Sequence, residues 1–266
     1  MEMLQLYLAF SKVNFLTQLE YRAQYVIRML SKIIAWTAGF VLITVLLHKF
    51  KSIGGWSTYE VLFLYAMDVL SYSIAGTFFY SPFRNLGRNI QLGLFDEVLT
   101  KPVNPLLYYV CTKTSAGYTC NYIIALIIIG VSFSKLGIQL TLVKLLNLGL
   151  VIIGATLIQA TGFMVTTIPS FWLVKSDSLY RLFFANLTGF LQYPLSIYNR
   201  SIQVVLTFVL PYAFINFYPA HYFLGKTDAL FHPYFQYLTP LVGLLAFALA
   251  YGFWKLGINN YQSTGS

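Results

Sequence analysis

The sequence predicts an all-α protein that crosses a membrane several times, and three observations support this prediction. First, 58% of the 266 residues are hydrophobic and only 9% are charged, whereas soluble domains carry about 25% charged residues. Second, the apolar residues form long runs, as in residues 33–47 and 241–253. Third, no charged residue occurs between Lys144 and Lys175. A helix needs roughly 20 mostly apolar residues to cross a hydrocarbon core about 30 Å thick, and several regions supply them.

The apolar runs predict six transmembrane helices, at about residues 29–48, 59–80, 106–133, 142–168, 202–218 and 237–256. The stretches between them are too short for a core of their own, so residues 1–266 are expected to form a single membrane domain with no soluble domain. Basic residues are enriched on the cytoplasmic side of membrane proteins, which places both termini in the cytoplasm. The predicted inner segments hold Lys12, Arg22, Arg28, Lys32, Arg84, Arg88, Lys101, Lys175, Arg181, Arg200 and Lys255. The predicted outer loops hold Lys49, Lys51, Lys135, Lys144 and Lys226.

Several classes of chemistry are not expected. The net charge is +9, but the bases lie in loops beside apolar spans, where they face anionic lipid headgroups, so no nucleic-acid partner is predicted. Cys111 and Cys120 fall on opposite faces of one predicted helix and cannot form a disulfide with each other. The three histidines, His48, His221 and His232, lack the spacing of metal ligands, and no metal site is predicted.

One stretch resembles a phosphate-binding loop. In "AHYFLGKT", residues 220–227, a small residue is followed by four others and then by Gly225, Lys226 and Thr227. A phosphate loop needs a strand before it and the N-terminus of a helix after it. Here no strand is predicted before the stretch, and His232-Pro233 interrupts any following helix. We therefore expect a chance match in an outer loop.

The segment from Ser81 to Pro105 has the pattern of a short amphipathic helix on the inner surface. One predicted face holds Ile90, Leu94, Phe95, Val98 and Leu99, and the other holds Asn89, Gly93, Asp96, Glu97 and Thr100. Two interpretations are open: a passive interfacial helix, or a docking surface for a cytoplasmic partner. A second segment, residues 176–200, also favours a helix in the membrane plane.

Ionisable groups inside a membrane are costly and are therefore candidates for function. Asp68 lies midway along the second predicted span, and Lys113 lies about two turns into the third. They form a buried ion pair if the two helices are adjacent; otherwise Lys113 extends to the inner headgroups while Asp68 faces water or hydroxyls such as that of Ser71. Pro211 interrupts the fifth span and predicts a kink there.

The sequence contains no catalytic motif: there is no strict phosphate loop, no G-x-S-x-G and no H-E-x-x-H. No catalytic residue or bound cofactor is therefore expected. If ATP drives transport, a separate polypeptide must hydrolyse it.

Four segments resemble the membrane subunits of ABC-2 type ABC exporters, in the small six-span branch of that family. They are "EYRAQYVIRML" at 20–30, "GLFDEVLTKPVNPLLYYV" at 93–110, residues 192–225, and the terminal "YQSTGS". The most specific parts are G-x-x-D-x-x-L-x-K-P-x-x-P, which begins at Gly93, and the run from Pro211 to Tyr218-Pro219-Ala220.

The resemblance implies a multi-pass protein of the bacterial plasma membrane with an N-terminal interfacial helix and short cytoplasmic coupling helices, the first at residues 88–101. It implies a dimer of permeases, identical or homologous, on two copies of an ABC ATPase that binds ATP and Mg. The implied ATPase contacts are Arg88, Gly93, Leu94, Phe95, Asp96, Glu97, Leu99, Lys101 and Pro102. Membrane lipids are the other expected partners.

The leading hypothesis is therefore the permease subunit of an ATP-driven exporter of amphipathic or hydrophobic molecules. The alternatives are a self-contained ion-coupled carrier that uses Asp68 and Lys113, or a non-enzymatic membrane scaffold. The candidates for a transport pathway or gate are Asp68, Lys113, Pro211, Asn216, Tyr218 and Pro219.

Overall fold

The computed structural model describes residues 2–173, 180, 188–227 and 230–262, and its regular elements are helices. They are α1 (Glu2–Glu20), α2 (Arg22–Phe50), α3 (Thr58–Gln91), α4 (Asp96–Leu99), α5 (Pro105–Thr112), α6 (Thr119–Lys135), α7 (Leu142–Phe171), α8 (Arg200–Val209), α9 (Pro211–Leu224) and α10 (Thr239–Asn259). Short turns of 3₁₀-helix lie at Ala116–Tyr118, Thr188–Gln192, Leu195–Ile197 and Pro233–Tyr237. The all-α prediction is confirmed for the described residues.

Four helices are long and apolar enough to cross a membrane: α2, α3, α7 and α10. They correspond to four of the six predicted spans, so the chain is a multi-pass membrane protein. The helix predicted over residues 106–133 is broken, and the one predicted over 202–218 is bent. The structure therefore contains four candidate spans, or five if α8 and α9 are counted as one.

The bundle has two ends. The α1 end carries α1 and residues 92–104, and the far end carries residues 51–57 and 225–238. Helix α3 runs between them through the centre, where α2, α6, α7 and α9 pack around it. Most of its side chains from Val61 to Ala75 are buried. By contrast, α2 and α10 expose apolar side chains such as Ile34 and Leu249, which is the pattern expected of surfaces that face lipid.

The prediction of one helix over residues 106–133 is wrong, because α5 ends at Thr112 and α6 begins at Thr119. Other elements satisfy the backbone of the break. The Ser115 N–H donates to the Thr77 carbonyl at 2.7 Å. The side-chain amides of Asn14 and Gln18 on α1 donate to the Thr114 carbonyl at 2.8 and 2.6 Å. Non-helical backbone at membrane depth needs such partners. Cys111 and Cys120 therefore lie on different helices, and both are free.

The helix predicted over residues 202–218 is not continuous. Helices α8 and α9 are inclined by 74° at Leu210, so the kink predicted from Pro211 is confirmed. Before the bend, Ile197 packs against Gly54. After the bend, the Lys226 ammonium pairs with the Glu60 carboxylate at 3.3 Å. Residues before the bend and residues after it therefore both contact the far end of the bundle.

Arg200 belongs to the same end. Its guanidinium lies 3.9 Å from the ring centroid of Phe231 and donates to the Leu230 carbonyl at 3.3 Å. The prediction that put Arg200 and Lys226 on opposite sides of the membrane is therefore wrong. The bent pair enters and leaves at the far end, as a re-entrant hairpin does.

Two glycines allow α7 and α10 to pack closely. A methyl group on Gly154 would lie 2.6 Å from the Thr239 carbonyl oxygen, and one on Gly243 would meet the backbone of Gly154. Small residues at such crossings let helix backbones approach each other inside a membrane. This contact holds the last helix against α7.

We predict that Gly154→Ala and Gly243→Ala destabilise the protein, because the added methyl group has no room. Overpacking of this kind costs about 1–3 kcal/mol. The matched controls are Gly149→Ala on α7 and Gly252→Ala on α10, where nothing lies within 4 Å of an added methyl group. The melting temperature in detergent should fall for the first pair only. Equal melting temperatures in all four variants would contradict the close crossing.

We also predict that residues 52 and 197 are reached from the same side of the membrane. In a background with Cys111 and Cys120 replaced by Ala, Ser52→Cys and Ile197→Cys should react with a membrane-impermeant maleimide in the same vesicle orientation. Lys101→Cys, at the α1 end, should react only in the opposite orientation. If Ile197→Cys behaved like Lys101→Cys, the re-entrant geometry would be rejected.

Candidate functional site at the α1 end

The segment that follows α3 does not form the predicted amphipathic helix. Helix α3 ends at Gln91, and Gly93 then adopts a φ of 68°, a left-handed conformation that favours glycine. The chain turns there and forms only the single turn α4. The prediction of one helix over residues 88–101 is therefore wrong, although the segment does lie at one end of the bundle, between α3 and α5.

Phe95 is fully buried. Four aromatic rings surround it, with centroids 5.3–5.8 Å away: Tyr109, Phe171, Trp254 and Tyr261. They come from α5, the last turn of α7, α10 and the C-terminal segment. We call these five residues the aromatic anchor. Phe95 was predicted as a surface contact, and the structure instead puts it inside the protein.

Polar side chains hold the same segment from two sides. The Tyr261 hydroxyl donates to an Asp96 carboxylate oxygen at 2.7 Å, and the Tyr108 hydroxyl donates to a Glu97 carboxylate oxygen at 3.0 Å. The side chain of Asn104 accepts from the backbone at the start of α5 and donates to the Tyr251 hydroxyl at 2.9 Å. Both the backbone and the side chains of the segment are thus fixed.

Several side chains of this segment remain exposed. Among the predicted contact residues, the exposed ones are Arg88, Leu94, Glu97, Leu99, Lys101 and Pro102. We call this surface the 88–102 face. Gly93 and Asp96 are half-buried beside it. The face combines two exposed leucines with charges of both signs, and the anchor beneath it fixes its shape.

The other predicted site residues lie elsewhere. The Asp68 side chain is buried in α3, where its carboxylate accepts from the Gln159 amide of α7 at 2.9 Å. The Lys113 ammonium lies 5.5 Å from the ring centroid of Tyr109. No ion pair joins Asp68 and Lys113, although both are among the described residues. Lys113 lies where the predicted span over residues 106–133 is broken. The irregular backbone after α5 therefore sets the direction of the Lys113 side chain.

The remaining pathway candidates belong to the re-entrant pair. The Asn216 amide donates to the carbonyls of Leu191 and Leu64 at 2.7 and 3.2 Å. The Tyr218 hydroxyl lies 2.9 Å from that of Thr207, and Pro219 is buried in α9. These contacts hold the bent pair in place.

The same region explains residues 220–227. Gly225 ends α9 with a φ of 65°, and its N–H donates to the His221 carbonyl. The Lys226 ammonium pairs with Glu60, donates to the Gly55 carbonyl and lies 4.5 Å from the ring centroid of Trp56. This glycine closes a helix C-terminus, whereas a phosphate loop would open an N-terminus.

An apolar cavity of about 900 Å³ lies between α7, the bend of α8 and α9, and α10. Its walls include Gly162, Pro211, Phe214 and Ala250. Cavities of roughly 300–1,000 Å³ are usual for small-molecule sites. The predicted kink at Pro211 therefore faces a space large enough for an apolar molecule.

Sequence reasoning missed the residues that build the anchor and hold α1. The α1 side chains Tyr7, Phe10, Asn14 and Gln18 follow helical spacing, and all of them contact residues 104–114. That spacing was a usable signal. The sequence contains no comparable signal for Trp254 and Tyr261, because their spacing from Phe95 in the chain does not predict that the three rings pack together.

Comparison with known proteins gives one match. The family model described as "ABC-2 family transporter protein" matches residues 33–265. Neither a curated protein nor a solved structure matches the chain.

We predict alternating accessibility of neighbouring residues in this segment. In the cysteine-free background and in detergent, Leu94→Cys and Leu99→Cys should react with a maleimide at least roughly ten-fold faster than Phe95→Cys and Val98→Cys, because thiol modification requires access. Leu99 and Val98 give the clearest comparison of reaction rates, because they are adjacent and their side chains are 36% and 3% exposed. Similar rates at residues 98 and 99 would contradict the buried anchor.

Proposed function

Because the chain belongs to the ABC-2 transporter family, we propose that it is the permease subunit of an ATP-driven exporter and that a separate ATPase chain binds the 88–102 face. Family membership makes the chain the membrane part of an ABC transporter. The proposal adds the direction of transport, the contact surface and the class of cargo. The proposal also assigns the α1 end of the bundle to the cytoplasmic side of the membrane.

The observation that carries the proposal is the construction of the 88–102 face on the aromatic anchor. A surface that transmits force must be exposed to the motor and rigidly connected to the moving helices. Leu94, Leu99 and Lys101 supply the exposed part. Phe95 supplies the connection, since its ring is packed against residues of α5, α7 and α10.

This division of roles revises the predicted contacts. Arg88, Leu94, Glu97, Leu99, Lys101 and Pro102 are proposed to touch the ATPase. Gly93 provides the turn that exposes them, and Phe95 and Asp96 hold the segment to the bundle. ATP binding and release would then shift the bundle between two states, because the ATPase binds the face differently in each.

The apolar cavity beside Pro211 is the proposed place for cargo. Helices α7 and α10 line it and also carry Phe171 and Trp254 of the anchor. The same two helices thus link the proposed motor contact to the proposed cargo site. An apolar wall fits a hydrophobic or amphipathic molecule.

We propose that each transporter contains two permeases and two ATPases, and that the ATPases bind ATP and Mg. We also propose that the protein lies in the bacterial plasma membrane with both termini in the cytoplasm.

The ion-coupled alternative is weaker on geometry. It needs Asp68 and Lys113 to share a pathway, but Asp68 is bonded to Gln159 inside the bundle. Lys113 lines a different space, at the α1 end. Nothing in their positions makes them one site.

The test compares two double variants that remove the same atoms. Leu94→Ala with Leu99→Ala should weaken retention of the ATPase by about ten-fold or more, which corresponds to ~1.4 kcal/mol. Leu146→Ala with Leu150→Ala, two exposed leucines of α7, should retain it. The measurement is co-purification in mild detergent of a chain that hydrolyses ATP, together with photo-crosslinking from position 99.

Both double variants should melt at the same temperature as the wild type, since the removed side chains are exposed. If no ATP-hydrolysing chain crosslinks to position 99, the assigned surface is wrong. If the purified chain alone transports in response to a proton or sodium gradient, the exporter proposal is wrong and the carrier is favoured.

A further inference from the structure

A second cavity lies at the α1 end, beside the 88–102 face, and its walls are polar. It has a volume of about 460 Å³ and is formed by α1, α2, α3 and the break after α5. Side-chain amides and hydroxyls supply most of the polar lining, among them those of Asn14, Asn85 and Thr114. Three cations face the same space: Arg28 of α2, Arg88 of α3 and Lys113 of the break.

These three cations have no carboxylate in direct contact with them among the described residues. No carboxylate is among the described residues that line the cavity, and within the described ranges none of the three forms a salt bridge. Glu97 interacts electrostatically with Lys113, but it accepts a hydrogen bond from Tyr108 and does not line the cavity. Asp96 accepts from Tyr261. Like charges that converge in a partly enclosed space repel each other, and a bound anion relieves that repulsion.

A fourth basic side chain stands behind the cavity. The Lys32 ammonium donates to the Ser115 hydroxyl at 3.4 Å and lies 3.1 Å from the ring centroid of Tyr118. Ser115 itself lines the cavity. This basic side chain already has partners inside the protein, so the preference of the cavity for an anion rests on the three cations that line it.

The surroundings of the cavity indicate where the anion comes from. Helix α1 exposes Leu8, Val13, Phe15 and Leu16, and α2 exposes Val26, Ile27 and Leu30. These apolar side chains belong to the two helices that supply Asn14, Gln18 and Arg28 to the cavity. A ligand with a phosphate and attached acyl chains would satisfy both surfaces together, whereas a free phosphate would leave the apolar surfaces uncovered.

We propose that this cavity binds the headgroup phosphate of an anionic phospholipid from the leaflet at the α1 end. Arg28 and Arg88 each offer a planar fork of donors, a geometry that suits phosphate oxygens, and Lys113 adds a point charge. The acyl chains lie against the exposed apolar side chains of α1 and α2. The site shares Arg88 with the proposed ATPase contact, so its test replaces only Arg28 and Lys113.

The site also has a consequence for α1. Asn14 and Gln18 line the cavity and bond to Thr114. A lipid bound there contacts α1, the break and the end of α3 at once. Lipid binding would then stabilise the packing of α1 on the bundle.

The test uses the full chain purified in detergent, with phosphatidylglycerol and phosphatidylcholine as probes and native mass spectrometry as the measurement. Arg28→Gln with Lys113→Gln should retain roughly ten-fold less phosphatidylglycerol than the wild type, because two charge-assisted contacts are lost. The matched control is Lys12→Gln with Arg22→Gln, which removes the same two charges from exposed positions outside the cavity. It should retain the lipid as the wild type does. Phosphatidylcholine should bind weakly to all three.

Equal loss of phosphatidylglycerol in both double variants would overturn the site, because net charge alone would explain binding. Displacement of the lipid by low-millimolar inorganic phosphate would overturn the assignment to a lipid and indicate a soluble phosphate ester. If the Arg28-Lys113 double variant does not fold, the single variants replace it, each with a roughly three-fold loss expected. ATPase co-purification is measured in a separate experiment, so the lipid-binding result can be interpreted even if the exporter proposal fails.

Discussion

The burial of one phenylalanine organises the α1 end. A buried Phe contributes about 1.5–3 kcal/mol, and each well-placed aromatic pair adds roughly 0.5–1.5 kcal/mol. Phe95 makes four such pairs. Together these contacts fix a segment that has only one turn of helix and would otherwise be a loose connection. The exposed side chains of the 88–102 face therefore keep a defined arrangement without a partner present.

The anchor also determines how far a local displacement can travel. Its rings belong to α5, α7, α10 and the C-terminal segment, and the Gly154–Gly243 crossing ties α7 to α10 again near the far end. Helices held at two points move as a unit, because close packing at both contacts resists sliding. The apolar cavity lies between these contacts, against the bend at Pro211. A displacement at one end would reach the cavity through helices that are already joined.

The sequence predicts the continuous spans well, because a long apolar segment in a membrane can adopt few structures other than a helix. It fails where tertiary contacts replace helical hydrogen bonds. The break after Thr112 persists since Asn14, Gln18 and Thr77 satisfy its backbone, and none of these is close in sequence. The re-entrant pair has the same apolar signal as a span. The amphipathic pattern around Phe95 identified the right segment, but it does not distinguish a side chain that faces lipid from one that faces the protein's own core.

The break after α5 and helix α1 are best understood as one feature. An interrupted helix exposes backbone groups whose burial without partners costs about 1–3 kcal/mol each. The amides of α1 supply those partners, so α1 can leave the bundle only if the backbone around Thr114 becomes unsatisfied. Lys113 is directed into the cationic cavity by the same break. The interruption therefore creates the anion site, fixes α1 beside it, and places both against the 88–102 face, so a change in any one of the three must alter the environment of the others.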